Sequence, residues 1–148
     1  MNVERVYDQL KIDEGFVCEI YLDHLGYKTF GVGHLVRESD PEWNYAVGEP
    51  VSVERALEFF KSDLDVAISE CTALYGVDVW EGFPEEVQEI LVNMMFNLGR
   101  PRLSKFRKMN AHLECGEWAS AAVEGRDSRW YTQVGNRAER LMTRLENV

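Results

Sequence analysis

Cysteine is scarce in this chain and makes no pattern. Cys18, Cys71 and Cys115 are three thiols in 148 residues, an odd number at wide spacing, which excludes a disulfide framework and a zinc-type spacing. Reduced, mostly buried thiols in a cytosol-made protein are the expectation. Histidine is equally sparse. His24, His34 and His112 stand apart, too few and too scattered to supply the three or four ligands of a metal site, so neither metal nor cofactor is expected. Long hydrophobic runs are missing as well. The first eight residues alternate charge with apolar side chains, so no signal peptide, membrane anchor or stable membrane association is expected. There is no internal repeat, low-complexity tract or linker.

Positive charge is the other shortage. Sixteen Lys and Arg face 26 Asp and Glu for a net charge of −10, and such a field repels phosphate, which disfavours nucleic acid as a partner. The imbalance is local. Residues 1–75 carry six Lys/Arg against fifteen Asp/Glu, and residues 76–148 carry ten against eleven. Within the second half, Arg100, Arg102, Lys105, Arg107 and Lys108 form a run with no intervening acid, readable as a local binding patch or as a solvated helix face.

What is present is an ordinary globular pattern. With 45% hydrophobic residues over 148 positions the chain can bury a sizeable core as one folding unit with up to two lobes. Val3, Val6, Tyr7 and Leu10 recur at helical spacing behind Asn2, which predicts an amphipathic helix over residues 3–12, with Gly15 as its stop. Residues 16–22 and 27–33 are strand-prone, separated by a turn at Gly26, so a small antiparallel sheet follows. Ser39-Asp40-Pro41-Glu42 reads as the start of a short helix ending by Gly48. Ser52 caps a longer one, whose series Leu57, Phe60, Leu64, Ala67, Ile68, Cys71 and Leu74 continues to Gly76. At 1.5 Å per residue its roughly 22 residues span about 33 Å, enough to bridge two lobes. Pro84 opens a strongly apolar helix containing Met94 and Met95, read as core filler. Shorter helices are expected over 103–113, 117–123 and 128–131, and a last one after Asn136.

Polar chemistry concentrates between residues 12 and 34. Glu14 ends the first helix, Asp23 precedes the Gly26 turn, and Thr29 and His34 lie on or after the returning strand. Two carboxylates on different elements can be held on opposite sides of a groove, which is what glycoside hydrolysis requires. One must be protonated to donate to the leaving oxygen, and burial makes a Glu suitable for that role. A hairpin Asp in a wetter place stays ionised to direct water. The plainer reading of the same residues is a helix-end surface acid and a turn Asp.

The order and spacing of Glu14, Asp23 and Thr29, with Gly26-Tyr27-Lys28-Thr29-Phe30-Gly31-Val32-Gly33-His34 around the last, resemble the bacteriophage lysozyme family of muramidases and endolysins. Asn93-Met94-Met95-Phe96-Asn97-Leu98-Gly99, Ser128-Arg129-Trp130-Tyr131 and Asn136-Arg137-Ala138 are similar to family segments in the family's order. The resemblance implies an α+β, mostly helical, lysozyme-like two-lobed fold. The small β-hairpin lobe would take residues 14–52, the linking helix 53–75, and the helical lobe 76–148 plus the N-terminal helix 1–13. It implies hydrolysis of the β-1,4 bond between N-acetylmuramic acid and N-acetylglucosamine in bacterial peptidoglycan, by inversion. Glu14 would be the general acid and Asp23 and Thr29 the water-positioning pair. Carboxyl groups about 6.5–9.5 Å apart would suit that stereochemistry.

By the same resemblance Arg137 orients Glu14, although the residue alone also reads as an ordinary helix N-terminal residue or a surface ion-pair partner. His34 pairs with Asp63 on the long helix. Leu35, Phe96, Phe106, Met109 and Glu124 occupy saccharide-contacting positions, with Met109 and Glu124 departing from the small hydroxyl and amide common there. Trp130 and Tyr131 either stack on sugar or pack the large lobe. A monomer made in the host cytoplasm, reaching the wall after membrane permeabilisation, is expected. The other readings are a lytic transglycosylase of the same fold and a non-catalytic peptidoglycan-binding or phage structural module.

Overall fold

A computed structural model describes residues 1–148 as helices and one small sheet. The chain forms two compact units, one of Glu4–Val66 and the other of Met1–Val3 with Ala67–Val148. The fold class read from the sequence, α+β and mostly helical, is the one observed.

In the first unit, helix α1 (Val3–Glu14) buries Val6 and Leu10. Tyr7 meets Phe60 edge-on, with ring centroids 4.7 Å apart. This packing explains why α1 groups from Glu4 onward with the sheet, where the sequence reading assigns residues 1–13 to the helical lobe. Strands β1 (Val17–Leu22), β2 (Lys28–Gly31) and β3 (His34–Leu35) follow as an antiparallel sheet in that order. Residues Gly48 to Val51 run along the free edge of β1, with Gly48 N–H donating to Ile20 O at 2.7 Å and Val51 N–H to Cys18 O at 3.0 Å. Covering this edge removes an open template for strand addition.

One face of the sheet carries Ile20, Phe30 and Val36 into a core with Val51 and Ala56. Ala56 belongs to α2 (Val53–Tyr75), whose first turn is capped as expected, by Ser52 Oγ accepting from Arg55 N–H at 3.1 Å. The expected short helix at Pro41 is a single 3₁₀ turn, Pro41–Asn44. Its Glu42 is buried at 2% exposure.

The boundary between units falls within α2, between Val66 and Ala67. In the second unit α2 ends before Gly76, and α3 (Val77–Gly82), α4 (Glu85–Leu98), α5 (Arg100–Leu103), α6 (Arg107–Glu114), α7 (Trp118–Arg126), α8 (Arg129–Val134) and α9 (Asn136–Glu146) complete the chain. The short α3 has no counterpart in the sequence reading. Ile90, Leu91, Met94, Leu103, Met109, Leu113 and Leu141 are fully enclosed, which places Met94 in the core as expected. Arg144 Nε donates to Glu86 Oε1 at 2.6 Å and ties α9 to α4. Of the thiols, Cys71 is buried and its pKa is pushed up to about 12 by burial and by Glu70. Cys115 is exposed at the end of α6, so burial of the thiols holds for Cys71 but not for all three.

Buried Glu42 is answered by one cation. Arg55 Nε donates to Glu42 Oε1 at 2.6 Å, and the guanidinium lies 4.0 Å from the centroid of the Phe59 ring. Removing one partner of such a pair leaves an uncompensated buried charge. Arg55→Ala should therefore lower unfolding free energy in urea by about 3 kcal/mol, and Arg55→Ala with Glu42→Gln should recover part of that loss.

Candidate active site

The second face of the sheet carries the polar chemistry. Tyr21 of β1 pairs with Thr29 of β2, and Thr29 pairs with Leu35 of β3. Directly opposed residues share a face, so these three form one row across the sheet. Thr29 is buried at 4% and Leu35 is 47% exposed. Thr29 Oγ1 donates to Tyr27 O at 3.0 Å, and its lone pairs stay available to accept.

Asp23 lies just beyond β1, where it builds the hairpin turn. Its Oδ1 accepts from Leu25 N–H and Tyr27 N–H, both at 2.9 Å. The turn reading and the functional reading are thus both compatible with its place, since one oxygen organises the loop and the second is not needed for it. Glu14 is the last residue of α1. The helix stops because Gly15, at φ +80°, takes a left-handed conformation while its N–H donates to Lys11 O at 2.9 Å. The Glu14 carboxyl packs over the turn between β2 and β3. A β-carbon added at Gly33 would lie 3.6 Å from Glu14 Oε2, an ordinary contact distance, and Gly33 has φ +67°, so it is the backbone conformation that favours glycine there.

Tyr21 connects the two acids electrostatically, and it has no role in the sequence reading. Burial first, then the negative charges of Glu14 and Asp23, push its phenol above the ordinary value. Both carboxylates therefore act on one side chain, which stays a protonated donor. Strand alternation is the available signal, since Tyr21 is two residues before Asp23, but the pairing with Thr29 emerges only in the folded sheet. An acid at a helix end and an acid in a hairpin turn, with the paired hydroxyls of Tyr21 and Thr29 on the adjoining strands, are the group types that acid–base cleavage of a glycoside uses.

Behind this face His34 is clamped as expected and by one residue more. Its Nδ1 bonds Asp63 Oδ2 at 2.9 Å and its Nε2 bonds Asp40 Oδ2 at 2.9 Å. With a carboxylate at each ring nitrogen both nitrogens donate, so the ring is an imidazolium. Phe59 lies against it at 4.2 Å and Phe30 at 5.1 Å. Burial disfavours the charge, but the bonds to Asp63 and Asp40 and their negative charges outweigh it and raise the His34 pKa. Burial likewise opposes ionisation of Asp40, yet the N–H of Arg37 and the bond from His34 hold its pKa below the usual carboxylate value.

The helical unit contributes a separate set. Arg137, at the start of α9, donates from Nε to Asn93 Oδ1 at 2.9 Å and from Nη2 to Asn93 O at 3.3 Å. Asn93 is 2% exposed in α4 and is a further residue without an assigned role in the sequence reading. Its polarity inside an apolar helix is the signal that marks it. A cavity of about 730 Å³ brings together Phe106, Met109, Glu124 and Trp130. Phe96 does not line it, and Leu35 belongs to the sheet unit. Trp130 is 2% exposed and donates from Nε1 to Asn97 Oδ1 at 2.8 Å, while Tyr131 bonds Glu139 through its hydroxyl. Both side chains thus have packing or bonding roles within the unit.

Comparison with known proteins agrees with a lysozyme-type enzyme. Residues 11–147 match the phage lysozyme family model, and the chain belongs to that family. It is 30% identical over 161 residues to probable T4-type lysozyme 2 of Dictyostelium discoideum, covering 97% of this chain and 95% of the relative. It is 29% identical over 150 residues to the pre-baseplate central spike protein Gp5 of Enterobacteria phage T4, covering 90% of this chain and 26% of that protein. Peptidoglycan hydrolase gp36 of Pseudomonas phage phiKMV is 28% identical over 135 residues, covering 89% of this chain and 14% of its own length. The chain thus spans nearly all of one relative and a minor part of the two phage proteins.

The His34 clamp sets a pH window. A raised imidazole pKa contributes stability that is full below the unfolded value of about 6.5 and is lost as pH rises through the folded value. A depressed Asp40 contributes stability present above its unfolded value of about 3.9 and lost as pH falls through the folded value. The clamp should therefore stabilise most between roughly pH 4 and 6.5. An NMR titration of the His34 ring should give a midpoint above about 6.5, and one at or below that value would contradict the imidazolium.

Proposed function

We propose that the chain is a muramidase that hydrolyses the β-1,4 bond between N-acetylmuramic acid and N-acetylglucosamine in bacterial peptidoglycan, with inversion. The supporting observation is that Glu14 closes α1 over the turn at Gly33 while Asp23 builds the turn after β1, two residues beyond the Tyr21 that pairs with Thr29. Glu14 serves as general acid and protonates the leaving glycosidic oxygen. Asp23, with the Thr29 hydroxyl, positions water for attack on the opposite side of the sugar carbon. The glycosidic C–O bond breaks as the leaving oxygen gains the Glu14 proton, water forms the new C–O bond and gives its proton to Asp23, and no covalent sugar forms on the protein.

Arg137 is assigned a positioning role. Its guanidinium is fixed by two bonds to buried Asn93, the kind of preorganisation that a positioning group needs. Family membership and the names of the relatives support peptidoglycan as the substrate. The protein is assigned to act as a monomer, made in the host cytoplasm and reaching the wall after membrane permeabilisation. No helix is long and apolar enough to cross a membrane.

A transglycosylase needs the acid but no water-directing Asp, so Asp23 and Thr29 favour hydrolysis. Digestion of purified sacculi by Glu14→Gln should fall by about 10²–10⁴-fold, as expected for loss of a general acid, and Asp23→Asn should fall measurably without loss of folding. Mass spectrometry should find reducing muramic ends. Anhydro ends would replace hydrolysis with transglycosylation, and undiminished digestion by both variants would overturn the roles assigned.

A further inference from the structure

One hydroxyl on the polar face of the sheet has no structural task. Tyr21 and Thr29 are directly opposed across β1 and β2. The ladder runs on past the Leu22 and Lys28 pair to a hydrogen bond of 2.9 Å from Asp23 N–H to Tyr27 O. Because side chains alternate along a strand, Tyr21 and Asp23 project on the side that Thr29 occupies. Ile20 and Phe30, of the opposite parity, lie in the core.

Tyr21 is half-buried and stands outside that core. Elsewhere Tyr75 donates its hydroxyl proton to Asn110 at 2.8 Å and Tyr131 bonds Glu139. The Tyr21 hydroxyl bonds no protein atom. Burial and the negative charges of Glu14 and Asp23 keep its proton in place, so the phenol is a donor awaiting an acceptor.

Hydrogen-bond counting at the attacking water shows where a donor is missing. Asp23 Oδ1 is taken by Leu25 N–H and Tyr27 N–H, so the water meets Oδ2, an acceptor. Thr29 Oγ1 gives its own proton to Tyr27 O, so towards the water it also only accepts. A water held between the two therefore donates both hydrogens and keeps two lone pairs. One lone pair must face the sugar carbon. The other needs a donor if the water is not to pivot about its two acceptors, and neither Asp23 nor Thr29 can supply one.

We propose that the Tyr21 hydroxyl donates a hydrogen bond to the attacking water, which makes Tyr21 a third catalytic residue beside Asp23 and Thr29. The inference rests on the muramidase reading above and extends it. In the step the water oxygen bonds the sugar carbon, the glycosidic C–O bond breaks, and Asp23 takes the water proton. The Tyr21 proton stays on the phenol throughout.

Tyr21→Phe removes the hydroxyl and keeps the ring. Two substrates separate its role from that of the acid. Sacculi need both a protonated leaving group and a placed water. A β-fluoride of the N-acetylglucosaminyl-N-acetylmuramic disaccharide loses fluoride without a proton and needs only the water. Rates are measured well below the melting temperature of each protein, so that lost stability does not register as lost rate. Tyr21→Phe should lower kcat about tenfold on both substrates, the scale of one hydrogen bond, with KM unchanged. Glu14→Gln should lose digestion of sacculi and retain hydrolysis of the fluoride. Tyr21→Phe that matches unmodified protein, or that is slowed on sacculi alone, would overturn the proposal and leave the muramidase reading standing. Unmodified protein that leaves both substrates intact would overturn the muramidase reading and this inference with it.

Discussion

The orientation of β2 is the constraint on which the sheet unit depends. Phe30 and His34 are opposite one another across β2 and β3, and both are buried against Phe59 of α2. Because strand side chains alternate, fixing Phe30 inward fixes its neighbour Thr29 on the other face, in line with Tyr21 and Leu35. A slip of one residue would send Thr29 into the aromatic core and Phe30 out. The imidazolium opposes such a slip chemically, since it meets Asp63 and Asp40 only in this register. The face that carries Tyr21, Thr29 and Leu35 is therefore specified from behind, by groups packed on the opposite face.

Four acids of this unit are committed to structure. Glu42 is held by Arg55, Asp63 and Asp40 by His34, and one oxygen of Asp23 by the hairpin turn. Each commitment removes freedom from the loop or helix that carries the acid. Asp23 serves both ends at once, because holding the turn also holds the carboxylate that the turn presents. Rigid placement of a charged group before substrate arrives is what makes its field effective in the transition state.

Features set by local rules were legible in the sequence. The long apolar period with its Ser52 cap marks α2, and Gly15 marks the end of α1 and hence the place of Glu14. Features set by distant partners were not. Ser39-Asp40-Pro41-Glu42 reads as a helix start, yet Asp40 makes no side-chain cap there. Its carboxylate instead takes the Arg37 N–H and the His34 ring, a tertiary use that overrides the local preference. The six residues of α3 are too few to display a period after the break at Gly76. Tyr21 is visible as an alternating strand residue, but its coupling to Glu14 and Asp23 exists only once the hairpin and α1 have folded.

The basic run shows the same division for electrostatics. The sequence shows Arg100, Arg102, Lys105, Arg107 and Lys108 as neighbours with no intervening acid, readable as a binding patch or as a solvated helix face. Folding separates them by partner. Arg100 finds Glu70, whereas the other four turn with Arg129 to a shared cavity. Net charge describes the field far from the surface, where salt screens it within about 8–10 Å. The field inside the cavity is set by its own rim, so an acidic protein can carry a cationic cavity without contradiction. The relevant quantity is how many charges remain unanswered around one concavity, and that number is a property of the fold.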